Sequence, residues 1–205
     1  MKLGKQQTKA VNSVVKWLRE PEGKQVFRLF GFAGVGKTTL AKYIEDLARD
    51  IFDTKRPAVY GAYTGKAAMV LTKKKCKAYT IHSLLYKPVV DDETGRVLGY
   101  EYSPTNAIRR SSFIVIDEGS MVNEEIGKDL ENTGKPILVL ADPFQLPPVE
   151  GTGYFMGEPD ALLTKIHRNA EDSPIIHMAT MVRRGDDLEY GRYGDSKVIR
   201  QRSLK

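Results

Sequence analysis

Residues 29–39 (LFGFAGVGKTT) constrain the fold more than any other stretch of this chain. They carry the pattern G-x-x-x-x-G-K-[ST] between a β-type run at 25–30 (QVFRLF) and a helical pattern with apolar residues at Leu40, Ile44, Leu47 and Ile51. A glycine-rich loop that links a strand to a helix in this way is a phosphate cradle. It spans Gly31, Gly34, Val35, Gly36, Lys37, Thr38 and Thr39. The glycines let the backbone turn tightly and point its N–H groups inward, and the helix dipole adds positive potential at the same place. Lys37 is placed to reach the β- and γ-phosphates, and the Thr38 hydroxyl to ligate Mg²⁺. The loop predicts an α/β P-loop NTPase domain that binds a nucleotide with Mg²⁺; the rest of the chain must say which nucleotide and what it drives.

The bulk properties are compatible with that reading and narrow it. The 205 residues suffice for one α/β domain with a sizeable core. A formal net charge of +6 suits a polyanionic partner without identifying one. With Cys76 as the single cysteine, neither a disulfide framework nor a cysteine-based zinc site can form within one chain. There is no apolar run of about 18 residues and no apolar signal core. These features predict an intracellular, cytoplasmic protein with no membrane partner.

Along the chain, residues 1–20 read as an amphipathic helix with Ala10, Val14, Trp17 and Leu18 on one face. Gln7 stands just ahead of that face. Its amide offers a donor and an acceptor side by side, which suits either an adenine edge or a solvated helix start. Residues 58–63 (AVYGAY) form a second core strand, after which come Thr64 and Lys66. Open α/β sheets place function at the carboxyl ends of their strands. These two residues therefore suit contacts to a sugar–phosphate backbone, or an ordinary helix start. Lys73, Lys74, Lys75 and Lys77 read as a solvated basic loop. His82 has no metal-ligand partner at zinc spacing and suits a polar contact to DNA or to the core.

Residues 86–102 read as a β-hairpin inserted between core strands, with Gly95 supplying a positive φ in the turn and Pro88 marking an edge strand. Residues 113–118 (FIVIDE) are a buried parallel strand that ends in two acids. Asp117 is placed to hold Mg²⁺, and Glu118 to act as general base toward the attacking water. A fourth strand, 136–142, runs into a proline-stiffened loop. There Gln145 is either a γ-phosphate sensor or an exposed turn residue. Arg168 precedes a helix that starts near Ser173 and Pro174; its guanidinium suits transition-state charge or the surface.

The set Gly31–Thr39, 63–68, 80–85, 116–122 (IDEGSMV), 141–149 (ADPFQLPPV) and 166–169 (IHRN) resembles superfamily 1 helicases, in particular the 5′-to-3′ RecD-like and Dda-like branch. The resemblance covers roughly residues 1–185. It implies a RecA-like, three-layer domain with a parallel sheet, formed by residues 1–85 and 103–180, with 86–102 inserted and 181–205 a linker or the start of a second domain. It implies that Gln7 meets adenine, in the pattern Leu3, Gln7, Ala10. It also implies that Thr64, Lys66 and His82 touch single-stranded DNA, and that the hairpin meets the duplex junction. Replication or recombination proteins are the expected partners, and ATP-driven 5′-to-3′ unwinding the expected activity.

Three features depart from the family's pattern. Ala141 stands where glycine is usual. The hairpin turn carries Asp91, Asp92 and Glu93 instead of an aromatic wedge. No second RecA-like domain follows, so an N-terminal ATPase fragment or a natural truncation is expected, only weakly active in ATP hydrolysis by itself. The rival readings are a DNA-independent ATPase or phosphotransferase, and a non-catalytic module that binds ATP or single-stranded DNA.

Overall fold

The computed structural model describes residues 3–20, 23–145, 151–165 and 174–199. Six parallel strands form the central sheet: β1 (Val26–Gly31), β2 (Ala58–Ala62), β3 (Ala78–Thr80), β6 (Phe113–Asp117), β7 (Ile137–Ala141) and β8 (Ala161–Leu163). Their order across the sheet is β3-β2-β6-β7-β1-β8. Alternate residues of each strand enter opposite cores, as the two-residue period requires. On β1, Phe27 and Leu29 join one cluster, and Val26 and Phe30 the other. On β6, Phe113 and Val115 take the first side, and Ile114 and Ile116 the second.

The first face is covered by α1 (Lys5–Arg19), α2 (Lys37–Phe52) and α3 (Gly65–Lys73), through Val14, Trp17, Leu40, Ile44 and Leu71. The second face is covered by α4 (Ile81–Leu85), α5 (Asn106–Arg109) and α6 (Glu124–Glu131), through Leu84, Leu85, Ile108, Ile126 and Leu130. The result is the expected three-layer RecA-like arrangement. A full burial of each such aliphatic side chain contributes about 1.5–3 kcal/mol. One buried carboxylate lies within the first layer: Glu45 accepts from Lys42 Nζ at 2.8 Å and from the Tyr60 hydroxyl at 3.0 Å.

The inserted hairpin forms as read, from β4 (Tyr86–Val90) and β5 (Val97–Tyr102), paired antiparallel with Pro88 opposite Tyr100. Gly95 takes φ +67 in the turn. Asp91 closes that turn, its Oδ1 accepting from the Thr94 N–H and hydroxyl at 2.7 and 2.6 Å. The hairpin is anchored at its base. The Tyr86 hydroxyl donates to Asp129 Oδ2, and the Tyr102 hydroxyl donates to the Asp129 carbonyl at 3.0 Å.

Two edge strands were not anticipated. β3 and β8 have three residues each, too short for an alternating pattern to register. The expected tail also contains more structure. Helix α7 (Pro174–Arg184) runs past residue 180, and β9 (Gly191–Tyr193) pairs antiparallel with β10 (Ser196–Val198).

Candidate functional site

All six strands run the same way, so their carboxyl ends lie along one edge of the sheet. The phosphate loop leaves β1, the Asp117–Glu118 pair ends β6, and Asp142–Gln145 follows β7, which lies between them. Topology therefore brings three separated motifs together.

The loop has the backbone its glycines predict. Gly34 and Gly36 have φ +83 and +84, and Gly36 caps α2 in the left-handed region. A Cβ on Gly31 would lie 2.8 Å from Leu163 Cβ and 2.9 Å from both the Leu163 carbonyl oxygen and Val35 Cγ2. Glycine at 31 thus lets β8 pair with the end of β1. Gly31→Ala is expected to displace β8 and cost about 1–3 kcal/mol, seen as a lower Tm. An unchanged melting curve would contradict this account of the contact.

The charged groups of the site interact. Lys37 Nζ donates to the carbonyls of Gly31 at 2.6 Å and Phe32 at 3.2 Å. The Thr38 hydroxyl lies 3.3 Å from Asp117 Oδ2, across the strand between their elements. Burial pushes the Asp117 carboxyl above its ordinary range, opposed by the Glu118 N–H and by the charge of Lys37. Glu118 is also raised, first by burial and then by Asp117, with Lys37 acting the other way. Glu118 has φ +56, a left-handed conformation that costs a non-glycine residue of order 1 kcal/mol or more and collects at functional sites. Behind it, a Cβ on Gly119 would lie 2.3 Å from Val139 Cγ1, so glycine is needed for the chain to turn there. The Ser120 hydroxyl is buried without a hydrogen-bond partner.

The remaining predicted residues fall into three groups. Gln7 is buried beside the loop; its Nε2 donates to the Val35 carbonyl at 3.2 Å, and its Oε1 accepts from the Gly4 N–H at 3.1 Å. Gln145 is exposed after β7, on a turn held by Asp142, and its neighbour Phe144 packs edge-on against Phe32 of the phosphate loop at 5.6 Å. Thr39 is exposed on the first turn of α2. Thr64 and Lys66 are exposed at the carboxyl end of β2, where the Thr64 hydroxyl caps α3 by accepting from the Ala67 N–H at 3.2 Å. The helix-start reading of Thr64 is thereby realised, at the position where a strand-end contact would be made. His82 is exposed on α4, stacked near Tyr86 at 4.9 Å and Tyr100 at 6.1 Å, so it joins the hairpin instead of the core. Arg168, with residues 166–169, lies outside the described residues.

Gln6 escaped the sequence reading. Its Nε2 donates to the Leu162 carbonyl at 2.9 Å and the Thr164 hydroxyl at 3.2 Å, and its Oε1 accepts the N–H groups of Thr164 and Lys165. Consecutive glutamines at the start of α1 thus hold the end of β8 and the phosphate loop. Gln6→Ala is expected to speed amide hydrogen exchange at Thr164 and Lys165 about 5- to 10-fold, the equivalent of roughly one exposed hydrogen bond. Unchanged protection at both amides would contradict the latch.

Among the described residues, no group of three or more His, Cys, Asp or Glu side chains could cage a metal ion. The Thr38 hydroxyl beside the Asp117 carboxylate is instead a sparse set of hard oxygens. That fits Mg²⁺, which is held by one or two protein oxygens together with substrate phosphates and water.

The chain matches the AAA domain family over residues 2–203. It is 34% identical over 208 residues to the ATP-dependent DNA helicase dda of Enterobacteria phage T4, covering 95% of this chain and 45% of that protein. It is 29% identical over 178 residues to the ATP-dependent RecD2 DNA helicase of Deinococcus radiodurans, covering 82% of this chain and 23% of that protein. The chain thus spans less than half the length of these curated relatives. The crystal structure of Bacteroides Pif1 bound to single-stranded DNA superposes with a TM-score of 0.58 at 23% identity, over 89% of this chain and 46% of that one, and shows the shared fold. Nucleotide use follows from the P-loop ATPase relationship. The chain belongs to the AAA domain family, and its RecA-like domain is similar to the matching part of the ATP-dependent DNA helicases dda and RecD2.

Proposed function

We propose that the protein hydrolyses MgATP to drive 5′-to-3′ movement along single-stranded DNA, and so unwinds duplex. The observation that carries this reading is the convergence of Lys37, Thr38, Asp117 and Glu118 at the carboxyl ends of β1 and β6, with Gln145 following β7 beside the loop. The loop N–H groups and Lys37 bind the phosphates of ATP, and Gln7 reads adenine. Thr38 and Asp117 hold Mg²⁺, which supplies charge neutralisation on the phosphates. Glu118 orients the attacking water and accepts its proton while the new P–O bond forms and the bond from the γ-phosphorus to ADP breaks. Its raised pKa makes it a better match to that task than an ordinary carboxylate. Gln145 and Arg168 contact the γ-phosphate as charge develops.

Residues 1–85 and 103–180 act as the nucleotide domain, and the hairpin 86–102 as its DNA-facing insertion. Thr64, Lys66 and His82 grip the DNA backbone along the same strand ends. A second RecA-like domain facing this one is needed for two grips to alternate. A strand-displacement assay tests the reading. A two-domain protein that carries this chain with a second RecA-like domain should release the strand from a duplex with a 5′ single-stranded tail, and not from one with a 3′ tail. Displacement only from the 3′-tailed substrate would overturn the polarity, and none from either would overturn the activity.

A further inference from the structure

A basic groove runs along the β3 edge of the sheet, away from the nucleotide site. It consists of two adjoining hollows of about 300 and 350 Å³ that share Lys77, Ala107 and Arg110. The first opens at the amino ends of β2 and β6, where Lys55 and Arg56 line it. The second climbs past Tyr79 to Ser83 and Asn106. Ser83 belongs to α4, one residue after His82, and its hydroxyl accepts from the Thr80 hydroxyl at 2.9 Å. The groove therefore begins beside the strand-end positions Thr80 and His82 and leads to the opposite end of the sheet.

Its chemistry is one-sided. Lys55, Arg56, Lys77 and Arg110 are all exposed, and no acidic side chain lines either hollow. None of the four forms an ion pair with a carboxylate among the described residues, although Lys24, Lys42, Arg49, Lys87 and Lys128 each do. Cations left unpaired around a concave surface raise the local potential and draw in a polyanion. Ser83 and Asn106, both exposed, give neutral hydrogen-bonding groups between the cations, and Tyr79, 38% exposed, gives a ring face for a base or sugar.

We propose that this groove binds the sugar–phosphate backbone of single-stranded DNA, as a continuation of the track across Thr64, Lys66 and His82. The assignment rests on the functional reading above and extends it to a surface at the far end of the sheet. An acidic polypeptide would meet the same cations. DNA is favoured because the groove begins at Ser83, beside the strand-end positions Thr80 and His82, and because its few apolar residues offer no deep pocket for a protein side chain to anchor.

The test is fluorescence anisotropy with a labelled single-stranded oligonucleotide across a series of salt concentrations. It compares the parent protein, the double variant Lys77→Ala/Arg110→Ala, and Lys66→Ala. Each phosphate of a single strand that the protein no longer neutralises lowers the slope of log K against log salt by about 0.7, so the double variant should lose about 1.4 and bind about 10-fold more weakly at low salt. Its affinity for a fluorescent MgATP analogue should equal the parent's. The charge-preserving pair Lys77→Arg/Arg110→Lys should restore most of the DNA affinity, which separates a loss of charge from a loss of fold. If Lys66→Ala weakens binding while the double variant matches the parent in affinity and slope, the groove is overturned and the functional reading stands. If the parent protein binds no DNA, the functional reading fails and the groove with it. If poly-glutamate displaces the oligonucleotide as well as unlabelled DNA of equal charge, the groove belongs to an acidic polypeptide and the proposal is overturned.

Discussion

Lys37→Ala is expected to reduce ATP turnover by about 10²- to 10³-fold and to weaken nucleotide binding, with little change in the fold. The size follows from removing one preorganised cationic donor aimed at the phosphates. Lys37 is the cation whose charge acts on both Asp117 and Glu118, so its loss also leaves two neighbouring carboxyls with less compensation. Its donor contacts to the carbonyls of Gly31 and Phe32 lie within the phosphate loop, above the core. Circular dichroism and thermal melting should therefore match the parent protein, while a coupled ATPase assay reads the loss. Turnover within about twofold of the parent would remove Lys37 from the phosphate site.

Glu118→Gln should separate binding from chemistry. Glutamine keeps the size and hydrogen-bonding reach of the side chain but cannot take a proton from water. The loss in the hydrolysis step should be about 10²- to 10⁴-fold, the usual contribution of a general base. MgATP affinity should be retained or slightly strengthened. The neutral amide removes a carboxylate charge from beside the bound γ-phosphate, so binding loses no attractive contact. A variant that loses nucleotide affinity as severely as Lys37→Ala would assign Glu118 to binding instead of water activation.

The sequence was most legible where local chemistry and long-range structure agree. The phosphate loop states its own backbone, because Gly34 and Gly36 occupy φ values that other residues rarely adopt. The strands at β1, β2, β6 and β7 are apolar on both faces, as strands between two helical layers must be. The hairpin was legible from its turn. The edge strands β3 and β8 were not, since three residues carry no period and their pairing is set by the neighbouring strand.

Within the site, residue types were readable and contacts were not. Nothing in the order Gln6–Gln7 shows that adjacent amides, pointing in different directions from one helix turn, hold two different elements. The left-handed backbone of Glu118 is likewise invisible in its letter. It sits directly before Gly119, where a Cβ would meet Val139. The aromatic character missing from the hairpin turn appears at its base, where Tyr86 and Tyr100 gather around His82, three residues brought together by the strand pairing and the preceding helix. The groove cations come from three separate stretches between Lys55 and Arg110, and the basic run at 73–77, read as a solvated loop, contributes only Lys77.

The central claim is that the nucleotide site works for a DNA-binding surface on the same sheet edge. Steady-state ATP hydrolysis by a two-domain protein that carries this chain with a second RecA-like domain, measured with and without saturating single-stranded DNA, tests it most directly. DNA should raise turnover by about tenfold or more, an acceleration that corresponds to at least 1.4 kcal/mol of barrier. The increase should vanish in Lys37→Ala and shrink in Lys66→Ala. Brisk ATP turnover that is the same with and without DNA would contradict the account and make the protein a DNA-independent ATPase.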